Sequence, residues 1–192
     1  DVERSRGLGD VYKRQVDFLS FDGRLLYGLA GIAICIIKKE LPITGLWTQK
    51  KTFDAPSLLV ALGFAIEKIS KLQEHACLEI ARYKSIIEKK IVRRMPTTQI
   101  LFPTIEKLPN TSIIAFPGIH SEAMLYVLQE RGIHAALSNL PAILSACPAL
   151  AHLCNQSVPF SYGLDLMEQD IEEIADRICT AATSLYIVSG VS

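Results

Sequence analysis

The chain has 192 residues, 49% of them hydrophobic, with 20 basic and 20 acidic side chains. That is enough apolar material for one good core, or for one small domain plus a piece of another. A net charge of zero gives no argument for nucleic acid or an anionic membrane surface as a partner, and the longest apolar run, which ends with Gly31 to Ile37, is too short to span a bilayer.

Asp1 to Gln15 (DVERSRGLGDVYKRQ) has neither helical nor strand periodicity and no initiator Met. It reads as an artefactual junction or a disordered tail and is kept out of the fold reasoning. No basic region precedes a leading apolar stretch, so no signal peptide is expected. The cysteines Cys35, Cys77, Cys147, Cys154 and Cys179 are odd in number and never spaced as CxxC. They read as small hydrophobes in a reducing, cytoplasmic setting.

Val16 to Phe21 (VDFLSF) alternates around Asp17 and reads as a short buried strand, Asp22-Gly23 as a turn, and Gly31 to Ile37 as a second interior strand. Leu41 to Lys51, with the only tryptophan, Trp47, is a loop. After Asp54 and Pro56, apolar residues recur from Leu58 through Leu59, Leu62, Phe64, Ile66, Ile69 and Leu72 to Ile87. That spacing predicts one long helix, or two in tandem, ending near Arg94 before Pro96. Beyond it, strands are expected at Thr98–Phe102, Thr111–Phe116, Ile133–Leu137 and Ser157–Tyr162. Helices are expected at Ser121–Arg131, Pro141–Leu153 and Met167 to about Tyr186, the last opened by Glu168, Asp170, Glu172 and Glu173, which suit a positive helix end. His75, His120, His134 and His152 fall in separate elements without metal-ligand spacing, so no metal site is expected, and His120 reads as a helix-start residue.

The stretch LPNTSIIAFPG from Leu108 to Gly118, followed by SEAMLYVLQERGI, resembles the C-terminal small domain of cysteine desulfurases and related class V aminotransferases, which depend on pyridoxal phosphate. The resemblance runs roughly from Val16 to Ile178 and lacks the family's N-terminal portion, which stacks on the cofactor ring. It implies that Thr111–Phe116 pairs with Val158–Tyr162. In the family, the motif S-F-S-G-H-K-x-Y-G-x-x-G carries the lysine that forms a Schiff base with the cofactor. Here Ser20 to Gly31 reads SFDGRLLYGLAG: Ser20, Phe21, Gly23, Tyr27, Gly28 and Gly31 match, while Asp22 replaces a serine, Arg24 the histidine and Leu25 the lysine. Leucine has no amine to offer an aldehyde, and a carboxylate at 22 repels a phosphate.

Three further departures follow from the same alignment. The family's R-S-G-T-E-N becomes Gln49-Lys50-Lys51-Thr52-Phe53-Asp54, in which Thr52 keeps the place of a cofactor-phosphate contact. Ser145-Ala146-Cys147 spells the family's S-A-C, but the ungapped register from Pro141 to Gly163 places Cys147 mid-helix among Leu144, Pro148 and Leu150, unsuited to a sulfur-carrying nucleophile. The strand whose arginine grips the substrate carboxylate reads Val158-Pro159-Phe160-Ser161-Tyr162-Gly163, with Pro159 in the arginine's place.

The resulting expectation is an α/β, fold-type-I aminotransferase-like chain. Residues 1–15 are the tail, 16–55 the end of a large cofactor-binding domain, 56–95 a connecting helix and 96–192 a small C-terminal α+β domain. Catalytic residues are expected to be lost, Thr52 alone remains a cofactor-binding candidate, and pyridoxal phosphate belongs to the family with its binding here in question. The expected partner is a second copy or a related subunit, with no nucleic acid and no membrane. One alternative is an active pyridoxal-phosphate enzyme using Lys38, Lys39, Lys50 or Lys51, or an intact partner subunit. Another is a non-catalytic small-molecule- or protein-binding α+β module.

Overall fold

The computed structural model describes residues 17–38, 55–105, 107–163 and 165–189. The chain divides into two compact units, Asp1–Gln73 and Glu74–Ser192, and the division falls inside helix α1 (Pro56–Arg94), about 58 Å long at the usual rise per residue.

In the first unit, β1 (Phe18–Asp22) pairs antiparallel with β2 (Ala33–Ile37), from Phe18↔Ile37 to Asp22↔Ala33. A 3-10 turn, Gly23–Leu26, follows β1 directly. The first half of α1 turns the stripe Leu58, Leu62, Ala65 and Ile69 inward. Gly23 lets it approach: a Cβ there would stand 3.0 Å from Ile32 Cγ2 and 3.3 Å from Leu62 Cδ1. Two sequence expectations are corrected here. The strands expected to be interior are open, with Phe18, Leu19 and Ile36 about half exposed, because a ribbon of two strands has too few neighbours to bury both faces. Leu59, Phe64, Ile66 and Leu72 of the helical pattern are also exposed; the inward stripe is narrower than the apolar count implies.

The second unit is built on the sheet β3 (Gln99–Ile100), β4 (Thr111–Ala115) and β5 (Ser157–Ser161), in that order and antiparallel throughout. The pairing of Thr111–Phe116 with Val158–Tyr162 is met: Ile114 lies opposite Val158 and Ser112 opposite Phe160. Alternation along the strands separates two faces. Ile114, Val158, Phe160 and Tyr162 join the larger core with Ile80, Ile87 and Ile91 of α1, Met124 and Leu128 of α2 (Ser121–Glu130), and Ile171 and Ile178 of α4 (Asp170–Ser189). Ala115 and the half-buried Ile113 face a smaller cluster with Leu101, with Leu140 and Leu144 of α3 (Leu140–Ser145), and with Leu153. Carboxylates four residues apart, Glu168, Glu172 and Asp176, meet Arg82, Lys90 and Arg94 of α1 in solvent-exposed ion pairs. Each contributes little, being exposed to solvent.

Three elements differ from expectation. The predicted strand Thr98–Phe102 shortens to Gln99–Ile100, and Phe102 turns into left-handed backbone at φ 55°. The helix expected over Pro141–Leu153 ends at Ser145, and a separate 3-10 turn spans Ala151–Leu153. Pro148 accounts for the break, since proline steers its predecessor away from helical backbone and offers no N–H. Ile133–Leu137 belongs to no strand among the described residues.

Candidate functional site

The turn after β1 is the place where a cofactor-holding amine is expected, and its geometry follows from local sequence. Asp22 caps the 3-10 turn: its carboxylate accepts the backbone N–H of Arg24 at 2.8 Å. The Arg24 side chain then folds back, with Nε donating to Oδ1 at 3.0 Å and Nη2 to Oδ2 at 2.9 Å. The hydrogen bonds from Arg24 hold the Asp22 carboxyl below its ordinary range, and Asp22 in return raises the guanidinium. Asp22 and Arg24 thus satisfy each other across two residues. Leu25 sits inside this turn with 72% of its surface exposed. Tyr27 closes the turn in left-handed backbone at φ 56°, an uncommon conformation for a residue carrying a Cβ.

Four backbone donors of the turn are also committed. Gly23 N–H goes to Ile32 O at 2.8 Å, Tyr27 N–H to Arg24 O at 3.1 Å and Gly28 N–H to Gly23 O at 3.0 Å. An added Cβ at Gly28 would stand 2.9 Å from that same Gly23 oxygen, so the matched glycine is required by close backbone approach. With Arg24 N–H on Asp22, none of these four amides is left to hold an anion.

The other candidates lie apart. Lys38 pairs with Asp17 at the far end of the β-ribbon, whereas the turn adjoins the Asp22↔Ala33 end; four residues of strand put about 14 Å between them. Thr52, Lys39, Lys50 and Lys51 lie outside the described residues. In the second unit, Cys147 stands at a bend after α3, not mid-helix as expected, and is half-buried. Pro159 occupies the middle of β5 opposite Ile113. Phe116 N–H bonds Gln156 O and Tyr162 N–H bonds Asn110 O, so the pairs bonded to β4 fall at even positions of β5. Position 159 therefore points its backbone away from β4, where an edge strand tolerates proline.

His120 is the N-cap residue of α2, without a side-chain capping bond. Among the described residues no group of His, Cys, Asp and Glu is arranged to hold a metal ion, and the cysteines are free. No helix among those residues is long and apolar enough to cross a membrane.

One polar group escaped the sequence reading. Ser112, fully buried on the larger-core face, donates to Glu88 at 2.5 Å. The Tyr162 hydroxyl nearby is buried and reaches no hydrogen-bond partner. Burial pushes it up to about 12; Ser112 pulls the other way, and the Glu88 carboxylate adds to the rise. The signal was present: a serine in phase with Ile114 on a buried strand needs a polar partner.

No protein-family model matches the chain. Among curated proteins it is 27% identical over 183 residues to a cysteine desulfurase of Sinorhizobium fredii, covering 86% of this chain and 46% of the relative. It is 33% identical over 141 residues to a cysteine desulfurase of Azotobacter chroococcum, covering 68% of this chain and 35% of the relative. Among solved structures, a NifS-like protein superposes with a TM-score of 0.78 at 21% identity, over 88% of this chain and 47% of that one. The cysteine desulfurase CsdA of Escherichia coli gives 0.68 at 18% identity, over 92% and 48%. These likenesses carry the fold-type-I α/β expectation, and the chain spans about half the length of the curated relatives it matches. The chain is a relative of the cysteine desulfurases, within the class V aminotransferase family, and corresponds to a C-terminal portion of them.

Proposed function

We propose that this chain is the C-terminal portion of a cysteine desulfurase-like protein that has lost the family's chemistry. In this reading it serves as a binding or dimer-partner subunit in the cytoplasm, with a second copy or a related subunit as its partner. The observation that carries the reading is the turn at Asp22–Leu26. Pyridoxal phosphate, when bound in the family, supplies an electron sink anchored to a lysine amine and to phosphate donors. The residues present do not fit it: Leu25 has no amine, Asp22 presents a carboxylate, and Arg24, the nearby cation, is spent on Asp22. Pro159 in place of the substrate-gripping arginine and Cys147 at a bend between apolar neighbours support the same conclusion.

The rival reading, an active enzyme using another lysine, is weakened at Lys38 by its ion pair and its distance along the ribbon. Its remaining candidates are Lys39, Lys50, Lys51 or an intact partner, and Thr52 stays a proposed phosphate contact only within that reading. A non-catalytic small-molecule- or protein-binding module is compatible with the second unit, but leaves the family motif at Ser20–Gly31 without a role. Full-length protein supplied with pyridoxal phosphate and L-cysteine should release sulfide no faster than the cofactor alone. Turnover above that background would return the protein to the active enzymes.

A further inference from the structure

The run Ile133–Leu137 has a strand's alternation without a strand's hydrogen bonds. Ile133, Ala135 and Leu137 are half-buried against the larger core, while His134, Ala136 and Ser138 are exposed. Among the described residues, no N–H from His134 to Leu137 donates to a backbone carbonyl. The run nevertheless follows β5. At its start, Ile133 and His134 share a hollow of about 400 Å³ with Phe160, Ser161 and Tyr162. Beyond its end, Leu140 packs with Ala115, and Ala115 lies opposite Ser157 at the other end of β5. The chain thus passes antiparallel to β5 from α2 to α3, both of which pack on that strand.

The hydrogen-bond phase of β5 explains why no fourth ladder forms. Its even positions bond β4, so Ser157, Pro159 and Ser161 direct their backbones to the open edge. Pro159 removes the donor at the centre of that edge. At the far end Ser138 turns left-handed at φ 49° and breaks the extended path.

We infer that Ile133–Leu137 is a strap held beside the sheet rather than within it, and that Pro159 is the residue that keeps it unpaired. A strap of this kind has only three half-buried side chains to hold it, so it opens at far lower cost than β4 or β5. The inference concerns the second unit alone and stands whether or not the cofactor reading holds.

Amide hydrogen exchange on the full chain tests it. His134 to Leu137 should exchange within about tenfold of unstructured rates while Ile114 and Val158 are strongly protected. In Pro159→Val the edge regains its donor, and alternate strap amides should slow by about tenfold or more. Wild-type strap amides as protected as those of β4 would overturn the inference. So would an unchanged strap in Pro159→Val with β4 and β5 still protected. If that variant does not fold, Pro159→Ala carries the same comparison.

Discussion

Phe116→Ala should destabilise the second unit by about 3–5 kcal/mol, the range for emptying an aromatic site in a packed core. Phe116 is 0% exposed and belongs to the larger core with Ile87, Ile91, Met124 and Leu128. Its backbone N–H also reaches Gln156 O at 2.8 Å, continuing the β4–β5 ladder past Ala115. The neighbours that would have to collapse into the space come from three helices and two strands, so relaxation is limited and the cost should fall high in the range. A loss of that size takes a large fraction of the stability of an ordinary domain. Urea titration followed by circular dichroism checks it, with Tyr126→Ala as control: Tyr126 is 68% exposed, and its truncation should move stability by no more than about 0.5 kcal/mol. Equal midpoints for the two variants would show that the core is not organised around β4 and α1 as described.

The second large effect is alkaline. The Tyr162 hydroxyl is raised from 10.0 to about 12 in the folded chain, chiefly by burial, with the side chain 7% exposed. Between those values the unfolded chain has given up this proton and the folded chain has not, so the unfolded state binds fewer protons and stability falls as pH rises. Below pH 10 the contribution is fully present; through the window it drains at about 1.4 kcal/mol per pH unit, or about 2–3 kcal/mol in all. Tyr162→Phe should remove this alkaline loss. At neutral pH the same variant should be neutral or stabilising by about 1 kcal/mol, because it deletes a buried hydroxyl without a partner. Parallel loss in wild type and Tyr162→Phe from pH 10 to 12 would mean that the hydroxyl is solvated or bonded.

Much of the second unit was legible because its sequence signals are redundant. Thr111–Phe116 and Ser157–Tyr162 combine apolar phase with turn residues at both ends, and they pair as the family resemblance requires. The long helix was legible from four-residue spacing, and it ends at Arg94 just before Met95 and Pro96. What sequence could not decide was partnership. Ile133–Leu137 has correct strand periodicity, but a strand exists only through a neighbour's hydrogen bonds, and the available edge holds Pro159. Leu59, Phe64 and Ile66 count as apolar on a helix, yet which of them is covered depends on what packs there, and it is the stripe of Leu58, Leu62 and Ala65 that meets the first unit's ribbon and turn.

The candidate site was legible in identity and not in geometry. Leu25 in the lysine's place, Arg24 and Asp22 could all be read from the motif, and a guanidinium two residues from the Asp22 carboxylate is a partial offset of its charge. The completeness of that offset could not be read, because it needs Arg24 to curl back over its own turn and take both carboxylate oxygens. Repulsion of an anion by Asp22 is therefore only part of the account. The turn is closed on itself, with its cation neutralised and the amides of Gly23, Arg24, Tyr27 and Gly28 engaged.

The proposed loss of an amine placed to capture the cofactor aldehyde is tested most directly by trapping. Full-length protein is incubated with pyridoxal phosphate, reduced with borohydride, digested and mapped by mass. The account predicts only scattered, substoichiometric pyridoxyl labels on exposed lysines. One lysine labelled to completion would contradict it.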